Sequence, residues 1–446
     1  MNRWLALFGG SLLLALIFGH LLRDTPGYMV RNPDGTITGD ITHYVYWTRL
    51  VTLGGVQSAY GGTWPETYAV YPPVALYPLE LIGTAYRWLQ DPSFDPEAAQ
   101  RSVWLHEAIK FVALAWHLLT ACAIFVLVRR ATTQPLAAVA GSLYVLNPAA
   151  IYDVAHWAQP DGAHSLFSVL AIGLLSAGQV LAPWAAMAAA ALAKPQAWAI
   201  LPLLFIATFR LHGRLGLARG LLVLVSVSVG IAVPFFAAGR LSELLSLPGN
   251  MSSVMPVVSA DAHNLWWIIV QQRGADPLFV EDSAHAFGPL TYRSAAAVLV
   301  TAVLLLTWGL YWTRRASLAE AAALGVLGWF TFTTQAHENH LFFALPLLSL
   351  AWPLKRALLV PFAIISATLL LNMLLHDQLV LERIGASLHD PIVERLRLVN
   401  AFANVLCFVG WALLAALRSP VAAAASAPVS YWPRRSTAVG LEVTHD

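Results

Sequence analysis

The chain has 446 residues, 58% of them hydrophobic and only 11% charged, where an ordinary soluble domain carries roughly 25% charged residues. That deficit, with a mean hydropathy of +0.64, excludes a soluble globular protein and implies an all-α polytopic membrane protein. The net charge of +2 and the absence of a basic patch offer nothing to nucleic acid, and Cys122 and Cys407 sit inside apolar runs, so neither a disulfide framework nor a thiolate metal site follows.

Crossing the hydrocarbon takes about 20 mostly apolar residues. Spans are expected at residues 4–22, 108–128, 136–152, 163–181, 221–238, 294–312, 319–334, 341–353, 358–375 and 401–417. The first follows Arg3 as a signal sequence would, but it is long and lacks a small-residue cleavage site, so it reads as a retained span. Lysine and arginine near span ends set orientation. With Arg3 cytoplasmic, Arg129, Arg130, Arg314, Arg315, Lys355, Arg356, Arg418, Arg434 and Arg435 all fall on the cytoplasmic side. One crossing over 182–209 would break this pattern by placing Arg210, Arg214 and Arg219 outside. Lys194-Pro195 interrupts that segment, and two half-length helices that dip in and return restore the parity.

Nearly every acidic residue then lies on the outer side, among them Asp24, Asp34, Asp40, Glu66, Asp91, Asp153, Asp161, Asp261, Asp282, Glu338 and Asp377. Acidic residues contribute little to insertion, so the skew marks the outer face as the place for chemistry. Length is concentrated there too, in loops at 23–107, 239–292 and 376–400. In the first loop Asp40 precedes Ile41, Tyr44, Val45 and Thr48, spaced as one face of a helix that Gly54-Gly55 would stop. A second amphipathic helix begins after Tyr71-Pro72-Pro73, proline being suited to a helix start, with Leu76, Leu79 and Tyr86 on its apolar face. Both are expected in the membrane interface. Residues 1–418 read as a single transmembrane catalytic domain. The tail at 419–446, rich in Ala, Pro and Ser, reads as disordered and cytoplasmic.

The polar run Gln335-Ala336-His337-Glu338-Asn339-His340 separates two apolar stretches. Ionisable groups at such a depth are costly and mark a site, although a plain polar turn has the same composition. Asp40 serves equally as a helix N-cap, Asp153 and Asp161 as solvated loop carboxylates, and His263-Asn264 as structural groups. A zincin reading fails, because its histidines stand four apart with a glutamate beside the first, whereas His337 and His340 are three apart. No metal and no cofactor are expected.

Gln335-Ala336-His337-Glu338-Asn339-His340-Leu341-Phe342-Phe343-Ala344-Leu345-Pro346 resembles the "HERYLFPALP" segment of bacterial GT-C glycosyltransferases and the "HEK" segment of the eukaryotic glucosyltransferases that extend lipid-linked oligosaccharides. Asn147-Pro148-Ala149-Ala150-Ile151 through Trp157-Ala158-Gln159-Pro160-Asp161 is similar to that family's "NPxxI…WGQxD". Tyr71-Pro72-Pro73 and Lys194-Pro195-Gln196 match its recurrent "YPP" and "KPQ", and Asp40 falls where the family places a first-loop aspartate. The ordered set covers about residues 35 to 350. Ala158 stands in place of the usual glycine and Asn339 in place of the usual basic residue, and the chain is shorter than the eukaryotic members.

The resemblance implies a GT-C type bundle of about 11–13 transmembrane helices in the cytoplasmic membrane. It also implies transfer of one hexose, mannose or glucose, from a polyprenyl-phosphate carrier to a glycan, glycolipid or lipid-linked oligosaccharide acceptor on the outer face, with inversion. A positioned carboxylate can take the proton of an attacking sugar hydroxyl, and Asp40 is the candidate base. The leaving phosphate gains negative charge, which donors must meet. His337 and His340 are the first candidates, with Arg273 and Arg293 behind them. Glu338 would orient a histidine or bind sugar hydroxyls, and Asp153, Gln159, Asp161 and Tyr71 would line the donor pocket. Trp157, Trp266 and Trp267 would stack on sugar rings or anchor at the interface. The competing reading is a transporter or flippase of a polar or lipid-linked substrate, whose interrupted helix would be at Lys194-Pro195. No internal repeat is visible to support it.

Overall fold

The computed structural model describes residues 3–420, apart from residues 24, 26, 28, 32–36 and 65. Asp24, Asp34, Arg434, Arg435 and the tail from residue 421 onward lie outside the described residues. The chain opens with α1 (Arg3–Leu21), a ribbon of β1 (Met29–Arg31) and β2 (Ile37–Gly39), and α2 (Asp40–Gly54). Then come α3 (Pro73–Leu89), α4 (Pro96–Arg101), α5 (Val103–Ala131), α6 (Gln134–Val145) and α7 (Pro148–Ile151), which runs into a π-helical turn at Tyr152–His156. α8 (Asp161–Ser176), α9 (Leu181–Ala191) and α10 (Leu201–Ala237) follow. The connection from α10 to the next long helix holds α11 (Leu241–Val254), α12 (Leu265–Gln272) and a ribbon of β3 (His285–Phe287) and β4 (Leu290–Thr291). α13 (Tyr292–Trp312), α14 (Leu318–Phe332), α15 (Ala344–Ala351), α16 (Leu359–Leu374), α17 (Gln378–Arg383) and α18 (Pro391–Ala416) complete the chain.

Among the described residues six helical stretches are long and apolar enough to cross a membrane, and α6 with Pro148–His156, bent by 47°, makes a seventh. The runs expected at 163–181, 319–334 and 341–353 are shorter apolar helices. α15 buries all eight of its residues and α14 all but two of its fifteen, as a helix apolar on every side must. Full spans ring them.

The stretch Pro195–Ala237 has 43 residues, ~65 Å if straight and about twice the hydrocarbon thickness. It breaks at Gly213 (φ 65°, ψ −167°), a left-handed conformation that glycine adopts at no steric cost. Trp184 of α9 donates to Thr208 before the break at 3.1 Å, and its indole lies against Gly220 after it, where a Cβ would collide with Nε1. The two arms therefore fold back on one another. The chain reverses at Lys194 and again at Gly213, and Arg210, Arg214 and Arg219 return to the end opposite Lys194. Arg210 there reaches the carbonyl of Tyr311, at the close of α13.

The long connection between α1 and α5 forms a small core of its own. Ile41, Tyr44, Val45 and Thr48 of α2 and Leu76, Leu79 and Tyr86 of α3 are all buried, together with Val56, Tyr60, Phe94, Leu105 and Ile109. The faces read from the helical spacing are the ones that pack. They close on each other and on α5 rather than lying bare in the interface. Gly55 (φ 75°) ends α2, and Pro73 begins α3.

Candidate active site

Lys194 sits in the break after α9 with 3% of its surface exposed. Its Nζ is 2.6 Å from Asp161 Oδ1, at the first residue of α8, and lies 5.4 Å from the centre of the Tyr71 ring. Taking both charges out of water is costly unless the remaining lone pairs are satisfied. Asn339 meets that need by donating its amide to Asp161 Oδ2 at 2.8 Å and to Asp153 Oδ1 at 3.1 Å. The other Asp153 oxygen is buried with no hydrogen-bond partner among the described residues. Burial, the largest single influence, pulls the Lys194 pKa down, but Asp161, Tyr71 and Asp153 together outweigh it and hold the ammonium above its ordinary value.

Asp40 is the first residue of α2, after Gly39 at the cap position, and no side chain caps the helix. Its carboxylate is thus not spent on a cap, and it faces Gln159, whose Nε2 donates to Oδ2. The amide orientation is fixed from behind, because Gln159 Oε1 accepts from Tyr44 at 2.9 Å and from Tyr71 at 3.2 Å. Burial pushes the Asp40 pKa up to about 6, against the opposing pull of Lys194 and of the Gln159 hydrogen bond. Ala158, next to Gln159, has φ +64°, a left-handed conformation that costs a residue with a Cβ. The glycine expected there from the resembling sequences would adopt it freely.

The 335–340 turn completes the cluster. Glu338 is buried and feels both Asp261 and Asp40 electrostatically, and burial first, then Asp261, lifts its pKa well above the carboxylate range. The half-exposed His337 ring stands 5.0 Å from that of His340, with Nδ1 3.9 Å from Glu338 Oε2. Partial burial, and then the Lys194 charge, hold the His337 pKa below its ordinary value, so the ring is neutral at pH 7. A crevice between α3 and α5, lined by Tyr44, Tyr71, Leu79, Ile109, Trp116 and Ala158, approaches the cluster from the side.

No protein-family model matches the chain, and no curated protein matches it. Among solved structures the chain is similar to the apo-form crystal structure of the Archaeoglobus fulgidus oligosaccharyltransferase, at 13% identity and a TM-score of 0.43. The match covers 93% of this chain and 56% of that one, so the chain spans just over half the length of that protein. A likeness this weak carries no weight for function, and the chemistry has to be read from the residues.

Of the residues singled out by sequence, Asp40, Tyr71, Asp153, Gln159, Asp161, His337 and Glu338 share this locale, and His340 stands behind His337 against Trp329. The arginines do not join them. Arg273 donates to Tyr292 OH and to the Ala286 carbonyl, both at 2.8 Å. Arg293 clamps Asp282 through two hydrogen bonds of 3.0 and 2.7 Å, and Asp282 also accepts from Thr334 and Gln335. Both arginines tie up the connection between α12 and α13. The expectation of sugar stacking is likewise corrected, because Trp157, Trp266 and Trp267 are at most 2% exposed. Two of them spend their indole N–H inside the protein, Trp157 on Asp377 and Trp266 on the Phe332 carbonyl. In the sequence Lys194 reads as a helix break and as part of a KPQ motif, not as the hub. A lysine inside an apolar run was the available signal. Tyr44 was assigned to packing, and nothing local distinguished Asp261.

Proposed function

We propose that the protein is a membrane glycosyltransferase that moves one hexose, mannose or glucose, from a polyprenyl-phosphate carrier to a glycan, glycolipid or lipid-linked acceptor on the extracytoplasmic face. The observation that carries the reading is Asp40, a carboxylate aimed by the Tyr44–Tyr71–Gln159 relay and held in the same cluster as the buried ammonium of Lys194. A base whose pKa is near 6 is ionised at neutral pH and still basic enough to accept a proton in the transition state. Asp40 takes the hydroxyl proton of the acceptor as its oxygen bonds to C1. The bond from C1 to the phosphate oxygen breaks with both electrons, and the polyprenyl phosphate departs. Lys194 supplies the positive charge that this departure calls for, since His337 is neutral. One base and a single displacement give inversion. The crevice between α3 and α5 marks the side from which an isoprenoid chain would approach, and the lysine- and arginine-rich end around Glu320 is the cytoplasmic one by the positive-inside rule.

The test is incubation of membranes with labelled polyprenyl-phosphate mannose and glucose. Product formed by the wild type and lost in Asp40→Asn supports the transferase. No product from either donor, with uptake of a labelled substrate that survives Asp40→Asn, supports the transporter that the break at Lys194 would serve.

A further inference from the structure

Asp261 belongs to no motif read from the sequence, yet it is among the most constrained residues of the outer face. Its backbone is left-handed (φ 62°), a conformation that residues with a Cβ seldom keep without a reason. It is held there on two sides. The segment pairs with the 335–340 turn, Ala260 N–H donating to the Ala336 carbonyl at 2.9 Å, and Asn372 Nδ2 donates to the Asp261 carbonyl at 2.7 Å.

Behind the carboxylate runs a buried line of three side chains whose polarity can be worked out. Asn400 Nδ2 donates to the Thr368 carbonyl at 2.8 Å, which fixes the amide, and the same nitrogen lies 2.9 Å from His263 Nδ1. His263 Nδ1 is therefore an acceptor, and a neutral His263 carries its hydrogen on Nε2. That nitrogen is 2.9 Å from His376 Nε2, which must accept, leaving the hydrogen of His376 on Nδ1. His376 Nδ1 stands 3.2 Å from Asp261 Oδ1. Burial first, then Arg397, keeps both imidazoles neutral, with His263 a further cause for His376. Every step points the same way, from Asn400 through His263 and His376 to Asp261. The line turns the Nδ1 side of His376 toward the carboxylate at 3.2 Å, and the Asp261 side chain is 19% exposed beside Glu338. With Glu338 held toward its neutral form by burial and by Asp261, the pair offers hydrogen-bond partners to sugar hydroxyls and no positive charge to a phosphate.

We propose that Asp261 is a further substrate-contacting residue of this site, an acceptor for sugar hydroxyls, and that His376, His263 and Asn400 are positioning residues that hold it in that role. The inference rests on the glycosyl-transfer reading and assigns the sugar end of the substrate to the Asp261–Glu338 side, away from the ammonium of Lys194.

The test uses the full chain in a phosphocholine detergent, free of sugar head groups, and has three arms. Side-chain nitrogen NMR should find His263 protonated on Nε2 and His376 on Nδ1, with Asn400→Asp reversing both; the opposite tautomers in the wild type overturn the relay. In the transfer assay Asp261→Asn should raise KM for the sugar substrate about tenfold, the scale of a lost charged hydrogen bond, with kcat changed less than threefold. His376→Phe should reproduce that loss, and His376→Asn, whose amide nitrogen can take the place of Nδ1, should restore most of it. An unchanged KM in Asp261→Asn, or His376→Asn no better than a folded His376→Phe, overturns the proposal. The third arm measures saturation transfer to methyl mannoside and methyl glucoside. Binding that depends on Asp261 in a protein that transfers nothing defeats the transferase reading alone, whereas binding indifferent to Asp261 defeats this proposal.

Discussion

Two clusters of buried charge occupy opposite ends of the bundle, separated by α14, and their compositions are inverted. At one end the lone carboxylate of Glu320, 2% exposed, has Lys355 at 3.3 Å, Trp411 Nε1 at 3.4 Å and Arg418 in closer contact. At the other the lone ammonium of Lys194 lies among Asp161, Asp153 and Asp40. The difference lies in which sign is in surplus and whether water can reach it. The surplus cations around Glu320 are partly exposed, Lys355 at 32% and Arg418 at 24% of their side chains, so solvent shares their charge. Around Lys194, Asp153 and Asp161 are buried, one oxygen of Asp153 has no partner among the described residues, and Asp40 is left holding its proton up to about pH 6. A saturated cluster holds helices together. An unsaturated one is poised to accept protons and ligands.

That contrast can be broken at several points. The largest expected effect is on the acidic side, where Asp40→Asn should cut transfer by about 10²- to 10⁴-fold, the range of general base catalysis, with the fold intact. Next is Lys194→Met, which leaves Asp161 buried without its cation and should destabilise by roughly 3–5 kcal/mol. Adding Asp161→Asn should recover most of the melting temperature in detergent but none of the activity. Glu320→Gln should do the reverse, lowering the melting temperature while kcat/KM stays within about twofold; a large kinetic loss there would erase the distinction between the ends.

pH sharpens the comparison further. As a base Asp40 works ionised, so kcat/KM should climb as pH rises through about 6 and level off above it. Its folded pKa is above the ordinary 3.8, so its contribution to stability is full below about pH 4 and is lost as pH rises through 6. Asp40→Asn should accordingly melt higher than wild type at pH 7, with the gap closing near pH 4. The smallest effect is expected at Ala158→Gly, which relieves a left-handed backbone and should stabilise by about 1 kcal/mol with kcat unchanged.

The relation between sequence and structure differs between the same regions. The buried faces of α2 and α3 were legible because helical spacing is a local property, and Ile41, Tyr44, Leu76 and Leu79 needed no knowledge of their partners. The reversal at Lys194 and the return at the arginines that follow it were legible from counting arginines, but the position of the second turn at Gly213 was not, since Arg210 and Arg214 flank it on the same side. Arg273 and Arg293 were proposed as phosphate contacts because arginine on an outer loop invites that reading. Only the three-dimensional structure shows Phe287, Tyr292 and Asp282 occupying them.

By itself the sequence determined that this is a helical membrane protein with its carboxylates gathered toward one end, because hydrophobic run length and the spacing of charges are set residue by residue along the chain. The tertiary structure decided which of those polar groups meet. Lys194 finds Asp161 across 33 residues, Gln159 finds Asp40 across 119, and Asn339 finds Asp161 across 178. A buried charge is stabilised only by partners within a few ångströms, and no spacing in the sequence says which distant loops will be brought that close.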